Sequence, residues 1–216
     1  MYKLAVFDLD GTLLDTLDDL TASANFALHV YGYPARTKAE IRSFIGDGIV
    51  KLMERSAGIT DRKIVDELVA SFRAYYAVHC KDETRPYAGI SALLQTLRKS
   101  GIKLAVLSNK VHTATQQLIG DYFPDTFDEV MGENEAKGIL RKPSPTALLA
   151  IMERMGVSKE ETVYIGDSEV DIQTSKNAGV DCISVTWGFK DEAFLRANGA
   201  MAIADSTKEV KERIVS

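Results

Sequence analysis

Several carboxylates and one lysine stand in this sequence at places where a charged group is costly without a partner. The stretch KLAVFDLDGTLLDT, from Lys3 to Thr16, is apolar in its first half. It then carries Asp8 and Asp10, followed by Gly11 and Thr12. Carboxylates at the mouth of a buried strand lose hydration, and a metal ion or a cationic ligand compensates them. Other parts of such a site recur along the chain. IKLAVLSN ends in Ser108 and Asn109, TVYIGDS reaches Asp167, and GILRKPSP places Lys142 just before a helix. Asp8, Asp10 and Asp167 form a hard oxygen site suited to Mg²⁺, which usually takes one or two carboxylates plus phosphate oxygens and waters. Ser108, the backbone N–H groups behind it and Lys142 can hold a phosphate. Asp171 lies one helical turn after Asp167 and can face the same place.

Taken singly, each of these residues has an ordinary explanation. Asp8 and Asp10 can cap a turn. Ser108 and Asn109 can cap a helix. Lys142 can be a solvated loop lysine, and Asp171 an acid that stabilises a helix's first turn. In FIGDGI, Phe44 to Ile49, two glycines flank Asp47. The backbone around Gly48 can therefore approach a ligand, although a plain helix–helix turn explains the loop as well.

The elements must bring these residues together. Leu4–Phe7, Ile102–Asn109, Thr162–Ser168, Asp181–Gly188 and, more weakly, Ala200–Asp205 are short continuous apolar runs. Such runs mark strands covered on both faces. Ser91–Gly101, Ser144–Gly156 and Asp171–Gly179 read as helices that stop at glycine, the first opening on Ser91 as its N-cap. Strand and helix alternate from Gly89 onward, which predicts a doubly wound parallel α/β sheet. In such sheets ligands bind outside the C-terminal strand ends, where the polar residues above collect. Residues 16–87 break the rhythm with four helical patterns and no convincing strand, so a helical insert divides the chain. The expected domains are a Rossmann-like core of residues 1–15 and 88–216 and an inserted helical domain of 16–87.

The remaining bulk features narrow the class. A chain of 216 residues with 45% hydrophobic and 26% charged residues has the balance of a globular protein. A net charge of −5 argues against nucleic acid or an anionic membrane as partner. Cys80 and Cys182 have neither metal spacing nor a disulfide framework, as suits a reducing cytoplasm. The opening apolar run is broken by Asp8 before it reaches the length of a signal-peptide core.

DLDGTLLDT, LSN, KPSP and GDSEVD, in that order from Asp8 to Asp171, resemble the four motifs of the haloacid dehalogenase superfamily. GTLLDT, LSNK, GDSEVDIQTSKNAG and VTWGF are most similar to its phosphoglycolate phosphatase branch. The resemblance implies a set of roles. Asp8 is the nucleophile and forms an aspartyl-phosphate, and Asp10 is general acid and then base. Asp8, Asp167 and the backbone carbonyl of Asp10 hold Mg²⁺. Ser108 and Asn109 bind the phosphoryl group, and Lys142 neutralises nucleophile and phosphate. Asp171 supports Lys142 or a metal-bound water, and Thr12 supports the first motif. Residues 16–87 correspond to the family's mobile helical cap, with Gly48 on a candidate substrate loop. The implied activity is Mg²⁺-dependent hydrolysis of a small phosphorylated metabolite by a cytoplasmic monomer or homodimer, with neither nucleic acid nor membrane as partner. Two alternatives remain open. A β-phosphoglucomutase-like transferase would want an arginine inside the Asp47 loop, but Arg42 and Arg55 lie outside it. A receiver-type regulatory module would be much shorter.

Overall fold

The computed structural model describes residues 1–134 and 138–215. The chain divides into two compact units, Met1–Leu14 with Pro86–Ser216, and Asp15–Arg85. Two short strands, β2 (Leu14–Asp15) and β3 (Arg85–Pro86), pair where the chain passes from one unit to the other and back.

The larger unit is built on six strands, β1 (Leu4–Phe7), β4 (Lys103–Val111), β5 (Glu129–Glu133), β6 (Thr162–Gly166), β7 (Asp181–Val185) and β8 (Ala202–Ala204). Their order across the sheet is β5-β4-β1-β6-β7-β8, and every pairing is parallel. β1 is fully buried along its length, as its unbroken apolar run requires. Leu4 and Val6 face a cluster formed with Leu107, Tyr164, Leu148 and Ile151. The last two come from α7 (Thr146–Met155). Phe7, on the opposite face by strand alternation, meets Phe127 edge to face. Helices α5 (Ile90–Lys99), α6 (His112–Tyr122), α8 (Glu169–Ala178), α9 (Glu192–Ala197) and α10 (Thr207–Val215) complete the unit and cover both faces of the sheet.

Two boundaries differ from expectation. α5 starts at Ile90, capped by Gly89 in the left-handed conformation, so Ser91 lies inside the helix. α8 starts at Glu169, two residues before the expected Asp171, because Asp171 reaches back to the N–H and hydroxyl of Ser168. β5 was not visible in the sequence. It is an edge strand, EVMGE, with a glutamate at each end and a glycine within, which is how edges avoid aggregation rather than how strands announce themselves.

The smaller unit is helical: α1 (Leu17–Val30), α2 (Lys38–Phe44), α3 (Ile49–Ala57) and α4 (Arg62–His79). Leu20, Ala24, Ala27 and Leu28 of α1 are buried, with Val65, Leu68 and Phe72 of α4, at helical spacing. Among the described residues, no helix is long and apolar enough to cross a membrane.

Candidate active site

Parallel neighbours end at the same edge of a sheet, and the three central strands end in the polar residues singled out above. Phe7 pairs with Val106 on one side and Ile165 on the other. Asp8, Ser108 and Asp167 therefore follow the same rung of the sheet within one or two residues. The Asp8 N–H still donates to the Ile165 carbonyl at 2.9 Å, so this aspartate stays part of the sheet. Beyond it Gly11, at φ 86°, lets the chain turn back, and the N–H groups of Leu13 and Leu14 donate to the Leu9 carbonyl at 3.0 Å each.

Lys142 is the hub of the site. Its Nζ lies 2.9 Å from Asp8 Oδ1, 2.7 Å from Asp171 Oδ1 and 3.2 Å from the Tyr164 hydroxyl, so all three ammonium donors are used. Tyr164 in turn donates to the Leu107 carbonyl at 3.0 Å. Asn109 grips the backbone of Lys142, accepting from its N–H at 2.7 Å and donating to its carbonyl at 3.1 Å. The Asn109 amide thus positions the lysine. Ser108, buried at the end of the apolar part of β4, accepts from the Lys110 N–H at 3.2 Å.

Asp167 is held from two sides. Thr12 Oγ1 donates to its Oδ1 at 3.1 Å and the Phe189 N–H to its Oδ2 at 2.7 Å. Trp187 fixes Thr12 in turn, its indole N–H donating to the Thr12 carbonyl at 3.1 Å. Asp171 receives Lys142 on one oxygen and Ser168 on the other. The Asp10 carboxylate points elsewhere: both of its oxygens meet Lys110 Nζ, at 2.8 and 2.9 Å.

Oxygen atoms of Asp8, Asp167 and Asp171 lie within 4.8 Å of one another, close enough to share one cation. Asp10 stands outside this carboxylate group and Asp171 inside it, whereas the sequence reading had Asp10 and not Asp171 as a ligand. The ligand expected from Asp10 is its backbone carbonyl, a different group from the carboxylate that pairs with Lys110. The charges fit a divalent ion. Four carboxylates face two ammonium groups, so the fully ionised cluster is left two charges negative.

The same crowding sets the protonation. Burial pushes Asp8 up to about 7. Lys142 opposes this, and neighbouring Asp171 and Asp10 reinforce it. Burial also raises Asp167 well above the usual carboxylate range, helped by Asp171 and Asp8 against the Phe189 N–H and Thr12. Lys142 would be lowered by burial, but Asp171 and Asp8 outweigh it and hold the ammonium charged.

Gly48 belongs to the helical unit, where it precedes α3 at φ 83°. The turn there is braced by Arg55, whose guanidinium donates to Asp47 Oδ2 at 2.5 Å and to the Phe44 carbonyl at 2.8 Å. Arg55 is outside the loop in sequence yet bound to it in space. Sequence reasoning also passed over Tyr164 and Lys110. Tyr164 reads as a core aromatic. Lys110 directly follows the LSN motif, but the register shift of β4 between Leu107 and Val111 keeps strand alternation from giving its direction.

An open parallel sheet whose central strand ends carry a lysine-paired aspartate and a cluster of further carboxylates has the form of a hydrolase core. The comparisons agree. Residues 5–185 match the family model for haloacid dehalogenase-like hydrolases. A phosphoglycolate phosphatase of Neisseria meningitidis is 34% identical over 98% of this chain and 93% of its own. One of Pseudomonas putida is 31% identical over 95% of this chain and 77% of its own. A crystal structure from Lactobacillus delbrueckii subsp. bulgaricus, provisionally assigned as a phosphoglycolate phosphatase, superposes with TM-score 0.92 at 38% identity, covering 99% of this chain and 98% of the other. The chain belongs to the haloacid dehalogenase-like hydrolase family. It is an enzyme, and its relatives place it among the family's phosphatases.

Proposed function

We propose that this enzyme is a Mg²⁺-dependent phosphatase acting on a small phosphorylated metabolite of the phosphoglycolate kind, through an aspartyl-phosphate on Asp8. The observation that carries this reading is the Asp8–Lys142–Asp171 array, a buried carboxylate held by an ammonium that is itself held in place. The Leu9 N–H and Lys142 both meet Asp8 Oδ1, at 2.7 and 2.9 Å, which leaves Oδ2 as the oxygen to offer phosphorus. Asp8, Asp167 and the Asp10 backbone carbonyl would hold the cation, with the Asp171 carboxylate beside them. When bound, Mg²⁺ supplies the positive charge that lets a phosphate dianion approach a carboxylate. Asp8 attacks phosphorus, the bond to the leaving alcohol breaks, and Asp10 gives that oxygen a proton. Asp10 then takes a proton from the water that attacks phosphorus, and the phosphate leaves Asp8 free. Lys142 and the Ser108 hydroxyl offset charge on the phosphoryl oxygens. The Asp15–Arg85 unit is the counterpart of the family's cap, and the Gly48 turn lies within it. The two free cysteines, Cys80 and Cys182, suit work in a reducing cytoplasm.

The test is phosphate release from a panel of phosphate esters, with Mg²⁺, with Ca²⁺ and with chelator. Asp8→Asn keeps the shape but cannot form the acyl-phosphate, and its turnover is expected to fall by at least ~10³-fold with the fold intact. Full activity in chelator overturns the metal assignment. Near-normal turnover by Asp8→Asn, with deamidation excluded, overturns the nucleophile.

A further inference from the structure

We propose that Lys110 reads a negative charge on the leaving alcohol, making phosphorylated α-hydroxy acids the preferred substrate class. This rests on the phosphatase reading above and on Asp10 as its acid. Lys110 Nζ contacts both Asp10 oxygens, at 2.8 and 2.9 Å, and the two side chains are only 8% and 15% exposed. To hydrogen-bond an ester oxygen, Asp10 must give up at least one of those contacts. A buried ammonium that loses part of its carboxylate partner is costly, so another anion is favoured in its place. The phosphoryl group already has Lys142 and the cation, which leaves the alcohol as the part of the substrate nearest Lys110.

Distances agree with this assignment. Asp10 meets the ester oxygen at hydrogen-bond range, so Lys110 Nζ lies within roughly 6 Å of that oxygen. A carboxylate borne directly on the ester-bearing carbon spans the gap. An α-carboxylate therefore replaces Asp10 on Lys110 at the moment Asp10 turns to the leaving oxygen. A neutral alcohol cannot make the exchange, and Asp10 then works against its own ion pair. Lys110 follows Ser108 by two residues on β4, where the register shifts between Leu107 and Val111, and its ion pair with Asp10 shows where the side chain lies.

The experiment compares kcat/KM for 2-phosphoglycolate and for ethyl phosphate, which carries a methyl group in place of the carboxylate. p-Nitrophenyl phosphate reports phosphatase activity as such. Wild type is expected to prefer 2-phosphoglycolate. Lys110→Met and Lys110→Gln should lower that preference by about tenfold or more, the scale of one charge-assisted hydrogen bond, and Lys110→Arg should retain most of it. Lys110→Gln keeps a donor to Asp10 and stands in if Lys110→Met does not fold. No preference in wild type, or a preference within about twofold of wild type in the neutral variants, overturns the assignment of Lys110. If the aryl phosphate is still hydrolysed in that case, the phosphatase reading survives. If folded wild type releases phosphate from none of the three esters, the phosphatase reading itself falls.

Discussion

Asp167 is held by contacts that leave no room for a methyl group nearby. A Cβ on Gly188 would lie 2.3 Å from Asp167 Cβ and 2.3 Å from the Gly11 carbonyl oxygen. A Cβ on Gly11 would lie 2.4 Å from Asp167 Oδ2, at a φ that disfavours any side chain. These glycines let two loops close on one carboxylate, one presenting the Phe189 N–H and the other Thr12. Gly188→Ala is therefore expected to cost ~1–3 kcal/mol by overpacking. With Asp167 as a proposed Mg²⁺ ligand, it should also raise the Mg²⁺ concentration needed for half-maximal activity, because that carboxylate is displaced while Asp8 and Lys142 remain. Calorimetry and a Mg²⁺ titration check both effects, and an unchanged titration would show that Asp167 keeps its place without the glycine.

At the scale of elements, the helical unit has its own buried carboxylate. Asp19, near the start of α1, accepts from the N–H groups of Glu83 and Thr84 at 2.9 Å each and from the Thr84 hydroxyl at 2.7 Å. It is 3% exposed, and it fastens the last residues of the unit to the first. Asp19→Asn replaces one accepting oxygen with a donor that faces donors. The expected loss is ~2–3 kcal/mol, the range for a buried hydrogen bond to a charged group. Urea unfolding measures it, and a change below about 0.5 kcal/mol would mean that the network relaxes around the amide.

For the whole molecule, four carboxylates on one sheet edge make stability depend on pH and on the cation. The Asp8 carboxyl is raised from 3.8 to about 7, so between those values the folded chain binds protons that the unfolded chain has released. Stability from this group is fully present below 3.8 and is lost as pH rises through about 7. Asp167 is shifted in the same direction. A divalent cation reverses the trend, since it needs the ionised carboxylates and offsets their repulsion. The rise in Tm on adding Mg²⁺ over chelator is expected to be larger at pH 7.5 than at pH 5. Equal rises at both values would separate cation binding from the Asp8 cluster.

Much of this protein is written in local sequence. Leu4–Phe7 must be a doubly buried strand because it has no polar face, and an aspartate at its end must find a cation. The same holds for the strand that ends at Asp167 and for the serine in LSN, so the sheet, the edge used and the acids gathered there follow from short-range pattern. The helical patterns after Thr16 likewise mark an inserted unit, because helical spacing is a local signal. Tertiary structure decided the partners. Tyr164 looks like core until its hydroxyl is seen on Lys142. The contact of the Asn109 amide with the Lys142 backbone is likewise invisible in the sequence. Lys110 meets Asp10 across 100 residues, and Arg55 folds onto a turn it does not belong to in sequence. Hydrophobic period is set by neighbours a few residues apart, so it can be read along the chain. The partner of a buried charge is set by which strand ends lie side by side, and only the folded sheet brings those together.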